Sequence, residues 1–248
     1  MNYRSFLPFL CITVLKLVSP AVAQDETPTD RLMSDMGRYC NRATEVSYRS
    51  QAIESPDSTR RVRFEGTLRK ILHPDSPSRS WETDDFCYGD IMETLSTEVV
   101  IDGQSDSFQL LDQPLRGTYL ILNALALSAD NRYLAAEADF IYGGLGHQSA
   151  VTFFDLETGE SISPQEICVN EFETEYDHTS FEGFLSPTIA VVFCSIFDYR
   201  NTVRIERYEA VDLTSGASQV LLSKPDNLRS YGTIVSDLEV VQVQEFSF

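Results

Sequence analysis

Tyr119 to Leu127, Ser128-Ala129-Asp130-Asn131, Tyr133 to Ile141, Gly143-Gly144-Leu145-Gly146, Ala150 to Asp155 and the turn Asp155-Leu156-Glu157-Thr158-Gly159 form the segment that decides the fold. Its apolar and β-branched runs are too short for core helices, and each is bounded by Ser, Asp, Asn or Gly. Asp and Asn bond their own backbone, and Gly supplies a positive φ. The reading is three antiparallel strands with a fourth begun. The same order returns further on: Phe181 to Leu185, Ser186-Pro187-Thr188, Ile189 to Phe197, Thr202 to Asp212, Asp212-Leu213-Thr214-Ser215-Gly216, and Gln219 to Leu222. Leu127 and Leu185 lie 58 positions apart and the two Asp-Leu-x-x-Gly turns 57, so one β unit is copied at a fixed pitch.

Working outward at that pitch, a third copy is expected over Arg61 to Leu72, its turn at Leu72-His73-Pro74-Asp75-Ser76 and a closing strand at Phe108 to Leu111. Two apolar segments remain outside the copies, Val46 to Ile53 and Thr233 to Phe246, and are expected to pair with each other. The grammar of a Ser-x-Asp turn followed by an Asp-Leu-x-x-Gly turn resembles the blade of a β-propeller of the WD-repeat or periplasmic Tol-system kind. That resemblance implies an all-β domain of about three to four propeller-like four-stranded repeats. The Trp-Asp signature of the WD repeat does not occur, the Gly-His of Gly146-His147 closes a loop between two strand segments and does not start a blade, and the only tryptophan is Trp81. An open sheet or a β-sandwich is the alternative, since a pitch near 57 leaves closure of a ring marginal.

The front of the chain reads differently. Residues 1–23 carry Arg4, an apolar run from Phe6 to Val18 and Ala21-Val22-Ala23, the pattern of a signal peptide with its cleavage site. Residues 24–44 follow as a leader and an amphipathic helix, with Leu32, Met33, Met36, Tyr39, Cys40 and Ala43 on one face. Residues 45–248 are then a single β-repeat domain. An exported protein, periplasmic or extracellular, with no membrane span after cleavage is the expectation.

Export bears on the cysteines. Cys40, Cys87, Cys168 and Cys194 remain after cleavage, an even number that favours two disulfides in an oxidising compartment. Short separations suit neighbouring elements, so Cys168 with Cys194 and Cys40 with Cys87 are the expected pairs. The whole chain has a net charge of −19, and loss of Arg4 and Lys16 leaves 17 basic against 38 acidic residues. Such a field opposes phosphate backbones and anionic lipid, so no nucleic-acid partner is expected.

Catalytic patterns are sparse. G-x-S-x-G, G-x-x-x-x-G-K and H-E-x-x-H are absent, and the three histidines, His73, His147 and His178, sit in polar turn-like segments. Gly143-Gly144-Leu145-Gly146-His147 joins strand to strand and opens no helix, which makes it a hairpin loop and not a phosphate cradle. Glu82, Asp84 and Asp85 beside Trp81 are a poor carboxylate pair, since neighbours on a strand point opposite ways. Glu171, Glu173, Glu175 and Asp177 alternate along an extended segment and are the candidate calcium ligands, against an ordinary acidic edge strand. No catalytic residue and no cofactor other than calcium is assigned. The expected function is a non-enzymatic binding or scaffold protein with a protein or carbohydrate partner. A secreted hydrolase of polysaccharide or peptide using carboxylates, calcium-stabilised, is the alternative.

Overall fold

A computed structural model describes residues 43–72, 90–103, 107–142, 146–162, 168, 177–198 and 203–246. Residues 1–42, and with them the predicted N-terminal helix up to its last residue, lie outside them; Ala43 and Thr44, expected to close that helix segment, instead open a strand. Every regular element described is a strand, so the all-β expectation holds. The strands are β1 (Ala43–Arg49), β2 (Ala52–Glu54), β3 (Arg61–Leu72), β4 (Asp90–Ile101), β5 (Phe108–Gln109) and β6 (Leu115–Arg116). They continue with β7 (Thr118–Leu127), β8 (Tyr133–Tyr142), β9 (Gly146–Asp155) and β10 (Ser161–Ile162). The last six are β11 (Asp177–Ser186), β12 (Ile189–Asp198), β13 (Val203–Asp212), β14 (Ser218–Leu221), β15 (Thr233–Ser236) and β16 (Glu239–Phe246).

These make three antiparallel sheets in chain order. The second runs β7-β8-β9-β10 and the third β11-β12-β13-β14, the two four-stranded copies read from the turns. The first is built on β3, with β4 on one edge, short β5 and β6 beyond it, and β1 and β2 on the other edge. The two leftover segments do pair: Val46 lies opposite Val243 and Ile53 opposite Ile234, which places β15 and β16 in the first sheet.

Alternation along the strands decides what is buried. In β7 the even positions Leu120, Leu122 and Ala124 face the first sheet, meeting Ile53, Val62, Phe64, Val99 and Ile101. Phe64 and Phe154 meet across this layer as a tilted ring pair, centroids 5.3 Å apart and planes at 59°. On the other face Ala126, Tyr133, Ala135, Val151 and Phe153 pack on Phe184, Ala190, Val192 and Val211 of the third sheet. The second sheet is therefore apolar on both faces, which explains why β7 and β8 read as near-continuous hydrophobic runs.

One expectation is corrected. The first sheet's counterpart of the Ser128 turn is Ser55-Pro56-Asp57-Ser58, between β2 and β3, not Leu72 to Ser76. In both turns the serine hydroxyl donates to the aspartate two residues on, at 2.6 Å in Ser55 and 2.5 Å in Ser128. Both serine amides donate five residues ahead, to Arg60 O and Tyr133 O, each at 2.8 Å. Ser58 and Asn131 both have positive φ, 56° and 60°. The offset is 73 positions instead of 58, because residues 73–89 separate β3 from β4 where only 143–145 separate β8 from β9.

The inner edges of the sheets are sealed from two directions. A bare strand edge offers unpaired amides and carbonyls and invites pairing with other chains. On β7 the Thr94 hydroxyl donates to Thr118 O (3.0 Å) and accepts from Leu120 N–H (2.8 Å). Tyr48 OH donates to Leu120 O at 3.2 Å and Gln51 Nε2 to Ala124 O at 2.5 Å. The C-terminal segment then crosses from sheet to sheet: Arg229 bridges Phe184 of β11, Tyr231 bridges Leu127 of β7, and β15 and β16 continue along β2 and β1. It is a strap that stitches all three sheets in succession. Gly232 turns it onto the first sheet with φ +95°, and a Cβ there would stand 2.6 Å from Ile53 Cγ1.

Candidate functional site

The two Asp-Leu-x-x-Gly turns fold alike. Gly159 N–H donates to Asp155 O and Gly216 N–H to Asp212 O, each at 2.8 Å, with φ of 76° and 73° at the glycines. Both aspartates cap their own turns: Asp155 accepts from Glu157 N–H and Asp212 from Thr214 N–H, each at 2.9 Å. The residue after each aspartate is a buried leucine whose amide donates across to the next turn, Leu156 to Arg132 O and Leu213 to Thr188 O, each at 2.8 Å. Local chemistry thus repeats the turn. Packing of the second sheet on the third sets the two copies side by side.

Between them lies a cleft of about 710 Å³ lined by Arg132, Tyr133, Asp155, Thr158, Thr214 and Ser215, among others. Arg132 is its fixed cation. Its Nε and Nη2 donate to Asp155 Oδ2 at 3.1 and 2.7 Å, Glu157 lies 3.5 Å away, and its guanidinium sits 5.0 Å from the centroid of the Tyr133 ring. Burial pushes the Asp155 carboxyl up, but the Arg132 guanidinium and the turn amides outweigh it and hold the acid below its ordinary value. Hydrogen bonds from the Thr214 hydroxyl and amide and the Ser215 hydroxyl likewise hold Asp212 low. Both carboxylates are ionised at neutral pH and already committed to the scaffold. A general acid needs a raised pKa, and these shifts run the opposite way.

Cys168 and Cys194 form the expected disulfide, Cα atoms 5.4 Å apart, at the back of the layer between the second and third sheets. Buried Glu209 stands beside it, accepting from Cys168 N–H at 3.2 Å and from Arg207 Nε at 2.7 Å. These three are the one group among the described residues spaced to hold a metal ion. They do not fit one, because the sulfurs are joined to each other and the carboxylate is ion-paired.

The other named candidates are not gathered here. Cys40, Cys87, Glu171, Glu173, Glu175, His73, Trp81, Glu82, Asp84, Asp85 and the loop 143–145 lie outside the described residues. Asp177 and His178 open β11, in register with Ile196 and Ser195, and His147 lies in β9. Nothing in the sequence pattern singles out Arg132. Its opposition to Asp155 follows from the β8–β9 register, which places Tyr133 opposite Asp155.

The fold and cleft define a class, an all-β protein of three stacked antiparallel sheets with a polar cleft between two copied turns. No protein-family model and no curated protein matches the sequence. No helix among the described residues is long and apolar enough to cross a membrane.

Proposed function

We propose that this chain is an exported binding or scaffold module whose sheets act as propeller-like blades, and that it holds a protein or carbohydrate partner at the cleft between the copied turns. The observation that carries this reading is the state of the two turn acids. Asp155, in the cleft lining, and Asp212, which heads the facing turn, are spent on bracing their own turns and, for Asp155, on Arg132, which leaves a polar rim of Thr158, Glu160, Ser161, Thr214 and Ser215 for recognition. Rigid turns presenting polar groups are how repeat scaffolds bind. The disulfide suits an oxidising compartment, and the acidic surface disfavours nucleic acid and anionic lipid.

The test is site-specific photo-crosslinking in envelope extract. A photoreactive residue replacing Thr214 should give a discrete adduct with a protein or a glycan, and one replacing exposed Glu206 on β13 should not. Equal adducts at both positions, or turnover of polysaccharide or peptide by the purified protein, would overturn the reading.

A further inference from the structure

β10 stands both at the edge of the second sheet and in the wall of the cleft. Its Ser161 and Ile162 pair with Phe154 and Phe153 of β9, no described strand lies on its other edge, and both residues line the cleft. The ladder decides which backbone groups are open. Asp155 N–H donates to Glu160 O at 3.0 Å, so those two form a bonded pair, and bonded and non-bonded pairs alternate along antiparallel strands. Ser161, one position on, therefore turns its N–H and C=O away from β9. Among the described residues they meet no backbone partner, and Ser161 is exposed. The flanking side chains have a fixed order. Alternation sets Glu160 on the face of Ile162, which packs with Phe153 against the third sheet. Glu160 is exposed and no cation pairs with it among the described residues, whereas Arg132 is already shared by Asp155 and Glu157.

On the reading that the cleft is the partner site, the geometry points to a protein partner, bound through an extended segment that adds to β10 as an antiparallel strand, with an apolar residue opposite Ile162 and a lysine or arginine opposite Glu160. An antiparallel neighbour returns both hydrogen bonds to one residue, so the single open residue, Ser161, fixes its register. Read from its N-terminus, the segment is apolar, any residue, then cation. The cation answers the unpaired carboxylate of Glu160 in a chain of net charge −19, and the apolar side chain covers Ile162. A sugar finds no open ring to lie on, because Tyr133, the one aromatic among the described lining residues, is 1 % exposed. Three residues of strand are a small contact, so the affinity of a short peptide is modest.

Amide NMR titration of the purified protein with the N-acetylated, C-amidated pentapeptide Thr-Val-Thr-Lys-Thr tests this. The Ser161 amide should shift saturably with a Kd of roughly 0.1–1 mM, and that of Glu206 on β13 should stay still. Methylating the central threonine's nitrogen removes the donor to Ser161 O and should weaken binding at least about tenfold. Glutamate in place of the lysine should weaken it about twofold to fivefold, the range of an exposed ion pair, and Glu160→Gln should abolish that preference. No saturable shift at Ser161 up to about 5 mM peptide, or equal binding of the methylated peptide, overturns the strand addition. Failure of the cleft reading is separate from this. A discrete glycan adduct from the photoreactive residue at Thr214 keeps the cleft as the site and overturns the peptide, whereas equal adducts at Thr214 and Glu206 sink both.

Discussion

Gly232→Ala should unfold this protein far more readily than Gly216→Ala. Two costs arise at that site. The backbone has φ +95°, where a Cβ costs roughly 1–2 kcal/mol. The new methyl would also sit 2.6 and 2.7 Å from Ile53 Cγ1 and Cδ1 and 3.1 Å from Glu54 O. Ile53 is 1 % exposed in the layer between the first and second sheets and has little room to retreat. Overpacking of that kind costs roughly 1–3 kcal/mol, so the sum is about 2–5 kcal/mol. For a domain of this size that is a fall in Tm of roughly 5–15 °C. Gly216→Ala is the internal control, with φ +73° and nothing within 4 Å of the added carbon, so it bears the backbone cost alone. Urea unfolding of both variants, followed by circular dichroism with the disulfide intact, gives the comparison. If Gly232→Ala is no more destabilising than Gly216→Ala, the strap does not press on Ile53 and the reasoning fails.

Other expectations rest on single contacts. Tyr48→Phe removes a buried hydroxyl that donates to Leu120 O, and should lower stability by about 1–2 kcal/mol in urea melts. Replacing Cys168 and Cys194 with serine and alanine opens a loop of 26 residues, and should cost about 2–4 kcal/mol in non-reducing conditions and nothing further on adding reductant. The turn acids set the acid limb of stability. Asp57, Asp155 and Asp212 all have folded pKa values below the ordinary 3.8, and Asp57 sits at about 2 because the Ser55 and Thr59 hydroxyls bond its carboxylate. A lowered folded pKa means that the stability these acids contribute is complete above about 3.8 and drains as pH falls toward 2. Asp155→Asn should therefore flatten the stability–pH curve below pH ~4, and carbon-detected NMR should place the Asp57 midpoint near 2.

How much of this was legible depends on the range of the interaction. The second and third sheets were readable because their turns are local: Asp212 bonds residues two and three ahead, and Gly216 is needed in place. The first sheet departs from that pitch because residues 73–89 lengthen one connection, so the spacing of the later copies points to Leu72 to Ser76 and not to Ser55 to Ser58. The pairing of the two end segments was inferred because both were apolar and unpartnered, whereas the Arg229 and Tyr231 bridges are one residue pair each and leave no periodic trace. The cleft was hidden for a different reason. Its turns were visible one at a time, but their adjacency exists only once Ala135 and Phe153 pack on Ala190 and Val211. The Cys168–Cys194 pair was found because its short separation suits neighbouring elements.

The central claim is that one C-terminal segment holds three sheets together at their inner edges, and native-state hydrogen exchange at Leu127 and Phe184 tests it most directly. Their amides donate to Tyr231 O at 2.8 Å and Arg229 O at 2.7 Å, so each reports the strap itself. Both should exchange only through global unfolding, with the same free energy as the amide of Leu134 in the buried centre of the second sheet. Exchange at Leu127 and Phe184 faster than at Leu134 by several orders of magnitude, insensitive to denaturant, would mean that the strap opens while the sheets stay folded, and would contradict the account.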